Sequence, residues 1–122
     1  MILVDTSIWI DHLRRGDNEL AGLLGAMQVI LHPFVVGEMA CGNLENRAEV
    51  LQLMGDLPSA TVASDPEVLY CIDRHRLMGR GIGYVDAHLL AAVMLTPRAR
   101  LWTRDRRLAS VANELGLAYR PA

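Results

Sequence analysis

At 122 residues with 52% apolar side chains, the chain reads as one domain able to bury its own core. No apolar run nears the ~20 residues of a membrane-spanning helix. Asp5 and Asp11 interrupt the N-terminal stretch, so it does not read as a secretory signal, and cytoplasmic residence is expected. The net charge of −2 excludes a broadly basic polyanion binder, yet every basic residue is Arg and five of the twelve fall between positions 98 and 107. Arg forms planar, bidentate contacts to phosphate, so a local anion-binding rim is compatible with the acidic total.

Residues 1–4 are apolar throughout, as in a central parallel strand covered on both faces. Thr6 or Ser7 can cap the helix that follows, and Asp17 caps a second. Residues 28–31 form the next strand. Pro33 opens a helix that stops at Gly42, and another spans residues 45–55. Residues 60–63 read as a weaker third strand. Asp65, Pro66 and Glu67 open a helix, with Asp65 as its cap, running through Arg76 and Leu77. After the flexible Gly79-Arg80-Gly81-Ile82-Gly83, residues 84–95 are apolar almost all round and form a buried helix. Residues 100–103 are the fourth strand, 106–115 the last helix, and 117–119 a short edge strand. Alternating strands and helices mean an α/β domain in three layers, α/β/α, around a mainly parallel sheet of four to five strands.

Ligands of open α/β sheets bind outside the carboxyl ends of the strands. Asp5 follows the first strand directly, and Asp105 follows the fourth after one Arg. Glu38 and Asp86 lie on apolar helical stretches. A lone Asp after a strand is most often a turn or cap residue, and Glu38 alone reads equally as a solvated helix position. Asp86 resists that explanation, since an unpaired charge in a buried helix is costly. Four carboxylates drawn together repel, and oxygen-only ligation selects hard ions such as Mg²⁺ or Mn²⁺. Thr6, Ser7 and Thr103 are hydroxyls that either hold such carboxylates and bound water or simply cap. Arg80, Arg104, Arg106 and Arg107 are the candidates for phosphate contact.

Other features carry less. Cys41 and Cys71 lack a metal-binding pattern and read as reduced core thiols. His12, His32, His75 and His88 show no catalytic partner in sequence and are read as non-catalytic. The Gly79-x-Gly81-x-Gly83 run follows a helix and lacks the dinucleotide-binding spacing. Trp9 and Trp102 are read as core.

Four stretches carry a family resemblance: Ile2-Leu3-Val4-Asp5-Thr6-Ser7, Gly37-Glu38, Asp86-Ala87-His88-Leu89-Leu90-Ala91-Ala92 and Leu101-Trp102-Thr103-Arg104-Asp105-Arg106-Arg107-Leu108. Each is short; their order and spacing over essentially the whole chain are specific. The chain resembles PIN-domain proteins, above all VapC-type ribonuclease toxins of toxin–antitoxin pairs. The resemblance implies a single PIN domain over residues 1–122, with Asp5, Glu38, Asp86 and Asp105 as catalytic metal ligands for Mg²⁺ or Mn²⁺. It implies RNA as substrate, a VapB-like antitoxin as partner and a homodimer. A PIN nuclease in RNA processing without an antitoxin, and a non-catalytic PIN-like binding module, are the alternatives.

Overall fold

A computed structural model describes residues 1–121. Its elements run β1 (Ile2–Val4), α1 (Thr6–Arg15), α2 (Asn18–Gly25), β2 (Val29–Ile30), α3 (Pro33–Cys41), α4 (Arg47–Gly55), α5 (Asp65–His75), α6 (Tyr84–Leu95), β3 (Arg100–Trp102) and α7 (Arg106–Glu114). The sheet order is β2-β1-β3 and both pairings are parallel, with Leu3 opposite Ile30 and Leu101. All three residues of β1 are buried, so both of its faces are covered. α6 supplies the largest helical share of the core, burying Ala87 through Val93. Among the described residues, no helix is long and apolar enough to cross a membrane.

The sheet has three strands, not the expected four to five. Both missing strands shrink to single parallel bridges, Leu31 with Ser59 and Leu101 with Ala118. Leu31 donates to Pro58 O and accepts from Ala60, after which the Thr61 amide turns to the Thr96 hydroxyl. Leu101 likewise donates to Leu117 O and accepts from Tyr119. Gly116, at φ +71°, precedes that bridge, and Pro121 beyond it has no N–H to extend a ladder.

Element ends differ from expectation where backbone and capping decide. Asp5, not Thr6 or Ser7, caps α1 by accepting from the Thr6 amide. Asn46 sits in the left-handed region at φ 53°, so α4 begins at Arg47 and not at Glu45. Ser64 caps α5 in a reciprocal box with Glu67, which leaves the Asp65 carboxylate free for other contacts. Arg76, at φ 54°, ends α5 before Leu77. Cys71 is a buried free thiol as read, but Cys41, in the last turn of α3, is exposed.

Candidate active site

The parallel pairing of β1 with β3 brings Asp5 beside Thr103 at the carboxyl end of the sheet. Asp5 is buried, at 9% exposure, and both of its oxygens are held. Oδ1 accepts from the Thr6 amide at 2.8 Å and Oδ2 from the Thr103 hydroxyl at 2.6 Å. The Thr103 hydroxyl in turn accepts from the Asp105 amide at 3.1 Å. Asp105 caps α7 through Oδ1, which takes the amides of Arg107 and Leu108. Thr6 also donates its hydroxyl to Glu38 Oε1 at 3.3 Å, linking α1 to α3. Ser7 accepts from the Arg104 amide at 3.2 Å, pinning the loop after β3. All three hydroxyls singled out in the sequence therefore make contacts at this edge.

Asp86 lies in the first turn of α6, where its Oδ2 accepts from the Gly83 amide at 3.0 Å. Burial is the largest influence on its carboxyl and raises its proton affinity, the Gly83 bond opposes that, and the charges of Asp5 and Asp105 raise it further. Glu38 follows the same pattern. Desolvation raises its pKa most, the Thr6 bond opposes it, and Asp5 and Asp86 add repulsion. Glu38 is exposed as a whole residue, so that desolvation belongs to its carboxyl end beside its neighbours. Four carboxylates from four distant segments thus feel one another at a single sheet edge.

That coupling is weaker than a closed ligand cage. Among the described residues, no three His, Cys, Asp or Glu side chains converge tightly enough to enclose an ion. The donors are nevertheless all carboxylate oxygens, mutually repelling and open to solvent on one side. This suits a hard, hydrated cation that keeps several of its waters and needs few direct protein ligands. Asp5, Glu38, Asp86 and Asp105 fit such an ion by chemistry and by charge.

The Arg residues divide. Arg104 is held in two arms, Nη1 on Asp11 and Nη2 on Asp17, each at 2.6 Å. Arg80 pairs with Glu114 at 3.0 Å. Arg106, in the first turn of α7, lines a groove of about 350 Å³ with Trp102, Thr103, Asn113 and Tyr119. Arg107 lies against Gly81, whose position would put a Cβ 2.6 Å from Arg107 Cδ. Trp9 and Trp102 are core, as read.

The sequence reads Asp17 and Asp65 as helix caps and gives Asp11 no partner. Asp17 does cap α2, but it also grips Arg104. Asp65 accepts from Tyr84 OH at 2.7 Å and pairs with His88 Nε2 at 3.2 Å. Nothing local in the sequence marks these long-range partners.

The PIN domain family model matches residues 2–114. The chain belongs to the PIN-domain family. Over 118 residues, 97% of this chain and 95% of the relative, this PIN domain is 49% identical to Ribonuclease VapC32 of Mycobacterium tuberculosis strain CDC 1551 / Oshkosh. It matches Ribonuclease VapC32 of strain ATCC 25618 / H37Rv equally, at 49% over 118 residues.

Proposed function

We propose that this PIN domain is an endoribonuclease that requires Mg²⁺ or Mn²⁺ and acts in the cytoplasm as the toxin of a toxin–antitoxin pair. One observation carries the reading: Asp5, Glu38, Asp86 and Asp105, far apart in sequence, are electrostatically coupled at the sheet edge where Thr6 and Thr103 fix Asp5. The likeness over nearly the full length to proteins named as ribonucleases supports RNA as the substrate.

These four carboxylates would hold the divalent cation. When bound, such an ion neutralises phosphate charge and lowers the pKa of water at the scissile bond. The protein's own contribution is orientation. Thr103 and Thr6 hold both oxygens of Asp5, so the carboxylate faces the cleft in one rotamer. Gly83 holds one oxygen of Asp86 and leaves the other for ligation. Asp105 uses one oxygen on the α7 amides in the same way. Arg106 and Arg107, at the exposed start of α7, would take RNA phosphates around this edge, whereas Arg80 is engaged by Glu114 at the far end of that helix.

A groove of about 540 Å³ between α1, α3 and α4 is lined by Ile10, Leu13, Met39, Leu44 and Val50 together with the polar Arg14, Glu38, Asn43, Glu45 and Asn46. It suits an amphipathic antitoxin helix whose trailing Arg reaches the carboxylates. A separate apolar hollow of α5 and α6, with Pro66, Tyr70, Ala91, Met94 and Leu95, is the proposed surface for a two-fold homodimer.

The test is cleavage of a mixed RNA pool by purified protein. Wild type should cut with Mg²⁺ or Mn²⁺, fall silent in EDTA, and be blocked by the product of an adjacent antitoxin-like gene. Unchanged cleavage in excess EDTA overturns the metal requirement. A partner that neither binds nor protects overturns the toxin role. A monomer mass of 13.5 kDa by light scattering at micromolar concentration overturns the dimer.

A further inference from the structure

Two histidines outside the carboxylate cluster are buried in the core: His32 at 0% exposure and His88 at 3%. Each has one ring nitrogen engaged and the other without a protein partner. The engaged nitrogens fix the polarity of the free ones. His32 Nδ1 accepts from the Phe34 amide at 3.0 Å, so its proton sits on Nε2, which is an unpaired donor. His88 Nε2 faces Asp65 Oδ1 at 3.2 Å. That same Oδ1 accepts from the Tyr84 hydroxyl at 2.7 Å, so it faces His88 as an acceptor. His88 Nε2 therefore carries the proton, and in a neutral ring Nδ1 is an unpaired acceptor.

The two rings are neighbours, 6.1 Å apart between centroids and inclined at 66°. Phe34 packs on both, at 4.9 Å from His32 and 4.6 Å from His88, and Tyr84 meets His88 edge-on at 4.7 Å. A lone buried donor is costly, as is a lone acceptor. Here one of each lies on two neighbouring rings, and the two nitrogens make no hydrogen bond to each other. A molecule that both accepts and donates satisfies the pair at once, as buried waters commonly do.

We propose that a single trapped water joins His32 Nε2–H to His88 Nδ1, completing a directed relay from the Phe34 amide through both imidazoles to Asp65. His32 stands at the start of α3, which carries Glu38. His88 lies one turn from the start of α6, which carries Asp86. The relay thus sets the spacing of the two helices that bring half of the carboxylate cluster. His32 and His88 act as positioning residues and touch no substrate. The consequence for cleavage rests on the nuclease reading; the relay itself does not.

The test is nitrogen-15 NMR of both imidazoles in the whole protein, together with a high-resolution crystal structure. Both rings should carry their proton on Nε2, and one water should lie within about 3 Å of both His32 Nε2 and His88 Nδ1. His88→Leu should speed exchange of the His32 Nε2 proton and lower kcat about tenfold with KM nearly unchanged. His88→Asn, whose side-chain oxygen stands near the lost Nδ1, should restore both. A wild-type His32 proton on Nδ1, or rings with no water between them, overturns the relay, whether or not the leucine variant folds. A relay found in a protein that cuts no RNA supports this inference and defeats the nuclease reading instead.

Discussion

Thr103 donates its hydroxyl to Asp5 Oδ2 at 2.6 Å across 98 residues of sequence, tying the end of β3 to the end of β1. Thr103→Val keeps the shape and removes the donor. The expected result is a 10- to 100-fold fall in RNA cleavage, the usual cost of losing a group that orients a metal ligand. Asp5→Asn should bring cleavage below detection while circular dichroism shows an intact fold. A fully active, folded Asp5→Asn protein would remove the carboxylate from the mechanism.

Cation binding should register in stability as well as in activity. A ligand present at 100 times its Kd and binding only the native state adds about 2.7 kcal/mol. Titrating Mg²⁺ into metal-free protein should raise the unfolding temperature, and Asp86→Asn should remove most of the rise. An equal rise in both proteins would show that the ion binds elsewhere.

His32 sets an acid limit. Burial, and then the neighbouring His88, lower its pKa from 6.5 to about 4. The folded value lies below the unfolded one, so its stabilising contribution is complete above pH 6.5 and is lost as pH falls toward 4. The loss over that window is about 3 kcal/mol, since each unit is worth about 1.4 kcal/mol. Urea midpoints at pH 7 and pH 5 should differ less in His32→Asn, which keeps a capping side chain. Identical pH slopes would mean another group governs acid unfolding.

Gly81 and Gly79 offer a matched comparison. Both have positive φ, +81° and +71°, so alanine at either strains the backbone by about 1–2 kcal/mol. Only at position 81 would the new Cβ strike Arg107, 2.6 Å from Cδ; at 79 it meets nothing within 4 Å. If Arg107 binds RNA, Gly81→Ala should raise KM several-fold while Gly79→Ala leaves it near wild type. Equal KM values in the two variants would count against Arg107.

The sequence made the middle of the molecule legible and the margins not. The apolar run 2–4 followed by Asp5, and the nearly unbroken apolar helix after Asp86, announce themselves because each is buried on more than one side. Pro33 and Gly42 bracket α3 as their backbone preferences dictate. The sheet edges are illegible because single bridges leave almost no periodic trace, and the limit of the Leu31–Ser59 edge is set by a hydroxyl, Thr96, far along the chain. Ser64 displaced Asp65 as a cap because its box with Glu67 satisfies two amides. Within the site, the four acids stood out by their placement after strands and on apolar helices. The grip of Asp11 and Asp17 on Arg104 and the meeting of His32 with His88 are tertiary events with no local signature.

The sheet order β2-β1-β3 also has a timetable. β1 precedes the other two strands in the chain and sits in the middle, yet its register partner Arg100–Trp102 follows it by nearly a hundred residues. Asp5 waits for Glu38, then Asp86, then Thr103 and Asp105. At ribosomal speeds of about 5–20 residues per second, that delay is on the order of 5–20 s. A nascent chain therefore cannot assemble the four-carboxylate edge before Asp105 has emerged, and on the proposed reading no RNA cleavage precedes that moment.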